Sequence, residues 1–173
     1  VANILQLMSL SPQALRTSMS MYLAIMKGSS SLSCAQREML AVVVSHANNC
    51  HYWTESHAED FRVEVQNRKI ADDLKENWRK IDLSEADRAL CNWAEKLTLT
   101  PANTGQGDID ELHLAGFSDE AISDAAQVIG YFNYINRIAD GLGVDLEKEM
   151  EPPKHWSGFR KKLLLHLNRE DLI

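Results

Sequence analysis

Apolar residues recur along this chain at spacings of three and four, the signature of one buried helical face. No stretch sustains the two-residue alternation of a half-buried strand, so the pattern predicts an all-α fold. Ser11-Pro12 reads as an N-cap followed by a first-turn proline. Leu15, Met19, Leu23 and Met26 then form one face, and KGSSS (Lys27 to Ser31) ends the helix. Ser33 and Gln36 have capping-box spacing. The helix they open, 34–47, carries MLAVVVS, which is apolar on nearly every side and therefore central. Asn48-Asn49 marks a break, because asparagine tolerates left-handed backbone. A second helix begins near Cys50 and runs past Phe61 and Val65, so 34–47 and 50–66 make a central helix hairpin. Short helices follow around Ile70 to Trp78. Ser84 caps another, with Ala86, Leu90, Trp93 and Leu97 on its buried face. TPANTGQGD (Thr100 to Asp108) reads as a loop. Ser118 caps a long helix facing inward through Ile122, Ala125, Ile129, Phe132 and Ile135, which ends in DGLG (Asp140 to Gly143). Glu151-Pro152-Pro153 sets off a last segment, in which Phe159, Leu163 and Leu167 form a short amphipathic helix. LSCAQRE and LSEADRA are loosely alike, which hints at a repeated helical unit.

Composition narrows this picture. At 173 residues the chain fits one domain, 1–173, around a single core. Hydrophobic residues at 45% and charged residues at 25% are those of an ordinary globular protein. A net charge of −7 argues against a nucleic-acid or anionic-membrane surface, which would need clustered Lys and Arg. No apolar run reaches the roughly 20 residues that a bilayer requires. No secretory signal is evident, although a further N-terminal piece can precede Val1. Cys34, Cys50 and Cys91 are odd in number and widely spaced, unlike a disulfide framework, so a reducing cytoplasm is expected.

The chemistry concentrates in SHANNCHYWTESHAED, Ser45 to Asp60. A helix first turn at Cys50 offers unpaired amides and a dipole that favour an anion, a place for a reactive thiolate. A lone cysteine is equally a small buried apolar residue. Positions 50 and 53 are neighbours on the helix, and so are 53 and 57. A thiol at 53 would therefore serve both Cys50 and His57, but Trp53 stands there. Cys50 and His57 themselves lie about 10 Å apart along the axis. In an antiparallel hairpin about Asn48-Asn49, Glu38 lies level with residue 59 and can reach His57. Its alternative is a solvated position beside Arg37 or Arg62. His46, Cys50, His51 and His57 invite a metal reading, but the intervening break and the lack of a second tight pair argue against it. His51 is expected to face solvent, and no metal or cofactor is expected. Asn133 and Arg137 are candidates to line the same pocket from the Tyr131–Arg137 segment, whose alternative is core and subunit contact. Trp78, Trp93 and Trp156 read as packing residues.

LSCAQREMLAVVVSHANNCHYWTESHAEDF resembles the core motif, here 32–61, of the AhpD-like alkylhydroperoxidases in the carboxymuconolactone decarboxylase superfamily. YFNYINRIADGLGV (Tyr131 to Val144) and ILQLMSLSPQAL are similar to segments of its uncharacterised peroxidase-related branch. The resemblance implies an AhpD-like orthogonal helical bundle that assembles as a dimer or hexamer, with 154–173 as a contact arm. It also implies reduction of a small hydroperoxide by a C-x-x-C pair, with an external thiol as reductant. By position, Glu38 matches the motif Glu, Cys50 the first Cys and His57 the motif His. Tyr52 is usual for the branch. The second Cys, normally the attacking thiol, is replaced by Trp53, which removes both the usual nucleophile and the local disulfide. Three functions follow. Cys50 acts alone through a sulfenic acid, with Glu38 and His57 relaying protons and Tyr52 and Trp53 at the pocket. Alternatively the scaffold is a non-catalytic oligomer. Or Glu38 and His57 perform acid–base chemistry on a small carbon acid or lactone, as on the decarboxylase side.

Overall fold

The computed structural model describes residues 1–150, and the helix and contact arm expected over 154–173, with Trp156, lie outside them. Eight α-helices and no strand are found among the described residues. They are α1 (Asn3–Met8), α2 (Pro12–Tyr22), α3 (Cys34–Ala47), α4 (His51–Val65), α5 (Arg68–Asn77), α6 (Glu85–Leu99), α7 (Gln106–Leu114) and α8 (Asp119–Leu142). None is long and apolar enough to cross a membrane.

The capping box opens α3 as the spacing predicts: Ser33 Oγ accepts from the Gln36 amide at 3.1 Å, and Gln36 Oε1 accepts from the Ser33 amide at 3.0 Å. Every residue from Arg37 to Ser45 is buried, because α4, α5, α6 and α8 all pack on α3. Its apolar girth is thus the centre of the fold. Asn49 takes the left-handed backbone at φ 57°, and the chain reverses into α4 to close the hairpin. Ser118 Oγ caps α8 by accepting from the Ala121 amide, and Gly143 ends it at φ 67°, a conformation that costs glycine little. The inward stripe of α8 includes Ile122, Ala125, Ile129, Phe132 and Ile135, as expected.

Three elements depart from the expected pattern. After α2 the chain widens into a π turn, Leu23–Lys27, which shifts the helical phase. Leu23 is consequently 54% exposed, and the inward side comprises Leu15, Ser18, Tyr22 and Met26. The loop expected through Asp108 stops at Gly105, because α7 starts at Gln106. There the Asp108 carboxylate accepts from the Gly105 amide at 2.8 Å and from Lys96 Nζ at 2.6 Å, nucleating a helix on polar residues. Finally, the region around Ile70–Trp78 is one helix, α5, followed by a 3-10 turn at Trp78–Lys80.

Candidate active site

The hairpin carries Glu38 on α3 against His57 on α4, and Glu38 Oε2 lies 2.6 Å from His57 Nδ1. Each residue is only 1% exposed. The other carboxylate oxygen, Oε1, accepts from Lys27 Nζ at 3.1 Å. Neither Arg37 nor Arg62 pairs with Glu38. Arg37 donates to the carbonyls of Ile25 and Gly28, and Arg62 pairs with Glu59. Burial alone would push the Glu38 carboxyl up, but the His57 hydrogen bond and charge, joined by those of Lys27, outweigh it and hold the group below its ordinary range. An ionised Glu38 only accepts, so Nδ1 carries the hydrogen between them. Asp60, one turn beyond His57, brings Oδ2 to 3.7 Å from the same nitrogen. Burial pushes its carboxyl up and the Glu38 charge adds to this, against the opposing pull of His57.

Aromatic rings enclose the imidazole. Trp53 stacks on it at 5.4 Å between centroids and 27° between planes, while Phe132 meets it edge-on at 4.6 Å. Tyr22 approaches at 6.3 Å. Trp53 is tied to α8 by its indole N–H, which donates to the Ile135 carbonyl at 3.3 Å. His57 Nε2 is buried and has no hydrogen-bond partner among the described residues. The ring thus has one nitrogen fixed by a carboxylate and the other held, unpaired, among apolar walls.

Cys50 meets α8 one residue beyond the carbonyl that holds Trp53. It is the N-cap of α4, one place short of the expected first turn, and it is fully buried. Its Sγ lies 3.8 Å from the Asn136 carbonyl, in donor geometry. Tyr52, also buried, turns its hydroxyl to Glu147 Oε1 at 2.8 Å. Asn133 and Arg137 are not joined to the pair by any hydrogen bond found here. Asn133 exchanges hydrogen bonds with Asn48 and Thr98, and Arg137, which is exposed, donates back to Asn133. The four-residue cluster His46, Cys50, His51 and His57 does not assemble, since His46 and His51 line an open groove of about 1480 Å³ while His57 is internal. Asp60 also lines that groove and connects it to the pair. A smaller cavity of about 450 Å³, near Trp93 and Glu111, involves none of these residues.

Glu38, His57 and Asp60 place donor atoms within 4.8 Å of one another, the one such trio among the described residues. His57 and Lys27 engage both oxygens of Glu38.

Sequence reasoning missed Lys27, Tyr22, Asp60 and Asn136. Asp60 had a signal, its three-residue spacing from His57. Asn136 also had one, a polar residue four places after Phe132 on an apolar stripe, and it accepts from Ser45 Oγ at 3.2 Å. Lys27 and Tyr22 had none, because five residues apart on an α-helix face roughly 140° away from each other. The π turn, bonding i to i+5, brings them closer into line.

The family model for the carboxymuconolactone decarboxylase family matches residues 12–95, the span that holds Lys27, Glu38, Cys50 and His57. An uncharacterised peroxidase-related protein from Silicibacter sp. TM1040 is 33% identical over 87% of this chain and 78% of its own, with a TM-score of 0.83. This chain belongs to the carboxymuconolactone decarboxylase family, among its AhpD-like members. A second similar structure is the AhpD-core, peroxidase-related protein from Ralstonia eutropha JMP134, at 28% identity over 86% and 78% of the two chains and a TM-score of 0.82. The debrominase Bmp8, solved with 2,3,4-tribromopyrrole, shares the fold at 20% identity over 86% and 78% of the chains and a TM-score of 0.76. No curated protein matches the chain. In this member the Glu38–His57 pair sits beside Trp53, which stacks on the imidazole.

Proposed function

We propose that this family member is a proton-transfer enzyme acting on a small carbon acid or lactone, with His57 as base and Glu38 as its partner. The observation that carries this is the 2.6 Å Glu38–His57 contact, buried, with Nε2 unpaired and no thiol at position 53 for it to serve. Nε2 takes a proton from a carbon next to a carbonyl, and the bonding pair stays behind as an enolate. The imidazolium that forms is held by the Glu38 carboxylate, and return of the proton to carbon completes the cycle. Trp53, half-buried over the ring, is the wall that must give way for a substrate to reach Nε2.

A second function is favoured by the place of Cys50 at the N-cap of α4, where the helix dipole supports an anion. There Cys50 alone reduces a hydroperoxide to an alcohol, forms a sulfenic acid, and is restored by an external thiol.

Deuterium incorporation from D2O into a panel of small lactones and β-keto acids, followed by NMR, tests the first proposal. The wild type exchanges the acidic C–H. Glu38→Gln slows exchange about 100-fold or more, and His57→Gln abolishes it above background. Exchange that survives His57→Gln, or a wild type inert across the panel, overturns it. Thiol-dependent hydroperoxide consumption that disappears with Cys50→Ser establishes the second.

A further inference from the structure

Lys27 has no counterpart in the expected site, yet it completes the hydrogen bonding of Glu38. It ends the π turn, and Gly28 follows at once. A Cβ on Gly28 would fall 2.3 Å from the Ala24 carbonyl oxygen, so the close turn admits only glycine there. The Gly28 carbonyl in turn accepts from buried Arg37, one residue before Glu38, at 2.9 Å. The turn is therefore fastened to α3 beside the carboxylate that Lys27 reaches. The ammonium itself is about half exposed, whereas Glu38 is internal. One oxygen of Glu38 meets Lys27 and the other meets His57, so the carboxylate is divided between them.

We propose that Lys27 is the positioning residue of the pair: by holding Glu38 Oε1 it keeps the carboxylate ionised and turned to Nδ1, which leaves Nε2 as the basic nitrogen. This rests on the reading of His57 as the base. Without the ammonium, a buried carboxylate gains proton affinity. Its added proton then either stays on Glu38, whose hydroxyl donates to Nδ1 and moves the ring hydrogen to Nε2, or joins the imidazole and gives it two. Both outcomes close Nε2 to a substrate proton. Among the described residues, the other titratable groups around Lys27 and this carboxylate are His57 and Asp60 from α4, Tyr22 from α2 with Tyr131 of α8 behind it, and Cys34 at the start of α3 on the Lys27 side. Burial, and then the charges of Glu38 and Asp60, push the Tyr22 phenol up, so it stays protonated and adds no charge. Asp60 is the group that stands against Lys27 in setting the local potential.

The test is ¹⁵N NMR of the His57 ring in the full chain at pH 7, for wild type, Lys27→Met and Lys27→Arg. Folding is checked by circular dichroism, and the half-exposed side chain makes Lys27→Met tolerable. The wild type shows Nδ1 protonated and Nε2 bare. Lys27→Met shows Nε2 protonated, and its C–H exchange falls at least 10-fold at pH 7 with the acidic limb of the rate profile moved to higher pH. Lys27→Arg restores both. A bare Nε2 in Lys27→Met, as in the wild type, overturns the role of Lys27 and leaves His57 as base intact. A protonated Nε2 in the wild type overturns both. The expected ring states without catalytic exchange sustain Lys27 and reject the proposed reaction alone.

Discussion

Replacing Glu38 with alanine removes the carboxylate that joins α3 to α4 in the interior. His57 Nδ1–H then loses its acceptor at 2.6 Å while remaining buried, with Nε2 already unpaired. With the ring neutral, the truncation strands a buried N–H donor, which costs about 1–3 kcal/mol. Lys27 is half exposed and regains water when the carboxylate is gone, so it is not stranded. At about 2–4 °C per kcal/mol for a chain of this size, the midpoint should fall by roughly 2–12 °C at pH 7. Glu38→Gln keeps an oxygen for Nδ1 but must place an amide near either His57 or Lys27, so it loses stability but less than Glu38→Ala. The effect depends on pH in one direction. The folded Glu38 carboxyl lies below its ordinary 4.5, so its contribution is present above that value and is lost as pH falls through the folded one. Thermal and urea unfolding of wild type and Glu38→Ala at pH 7 and pH 3 read this directly. A midpoint shift under about 2 °C at pH 7, or a loss just as large at pH 3, refutes a buried ionised carboxylate there.

Two further outcomes follow from the same cluster. Asp60 binds its proton more readily in the folded chain than at its ordinary 3.8, so its charge is a burden above the folded value. Asp60→Asn should raise the melting midpoint at pH 7, with the gain vanishing near pH 3, and a loss at pH 7 would show Asp60 to be a stabilising partner of His57. Trp53→Cys places a thiol one turn from His57 and three residues from Cys50, and should give dithiol-dependent reduction of an organic hydroperoxide above the wild-type level. Its stability cost stays below the ~3–5 kcal/mol of a fully buried tryptophan, since the ring is only partly buried. No gain in a folded variant means that the pair does not serve position 53.

The hairpin and its caps were legible because their signals are local. Ser33 and Gln36 sit at capping spacing, MLAVVVS is apolar all round, and Asn49 takes the one backbone conformation that its side chain favours. Glu38 and His57 could be paired from helical rise alone, once α3 and α4 were taken as antiparallel. Leu23 and Lys27 were misplaced by periodicity, since a π turn breaks the phase on which it depends. The start of α7 was hidden because Gly105 and Asp108 suggest a loop until a side chain caps the turn. Cys50 illustrates a different limit. Its position at a helix start was readable, but the Asn136 carbonyl beside its sulfur comes from a helix 86 residues away. Asn133 and Arg137 were read as pocket residues from their segment alone; Asn133 bonds to Asn48 and Thr98, and Arg137 bonds to Asn133.

The proposed reaction assigns the chemistry to His57 and Glu38, not to Cys50. The most direct measurement compares deuterium incorporation by wild type, Cys50→Ser and His57→Gln on whichever carbon acid of the panel exchanges fastest. Equal rates for wild type and Cys50→Ser, with none above background for His57→Gln, are predicted. Loss of exchange in a folded Cys50→Ser would contradict the account.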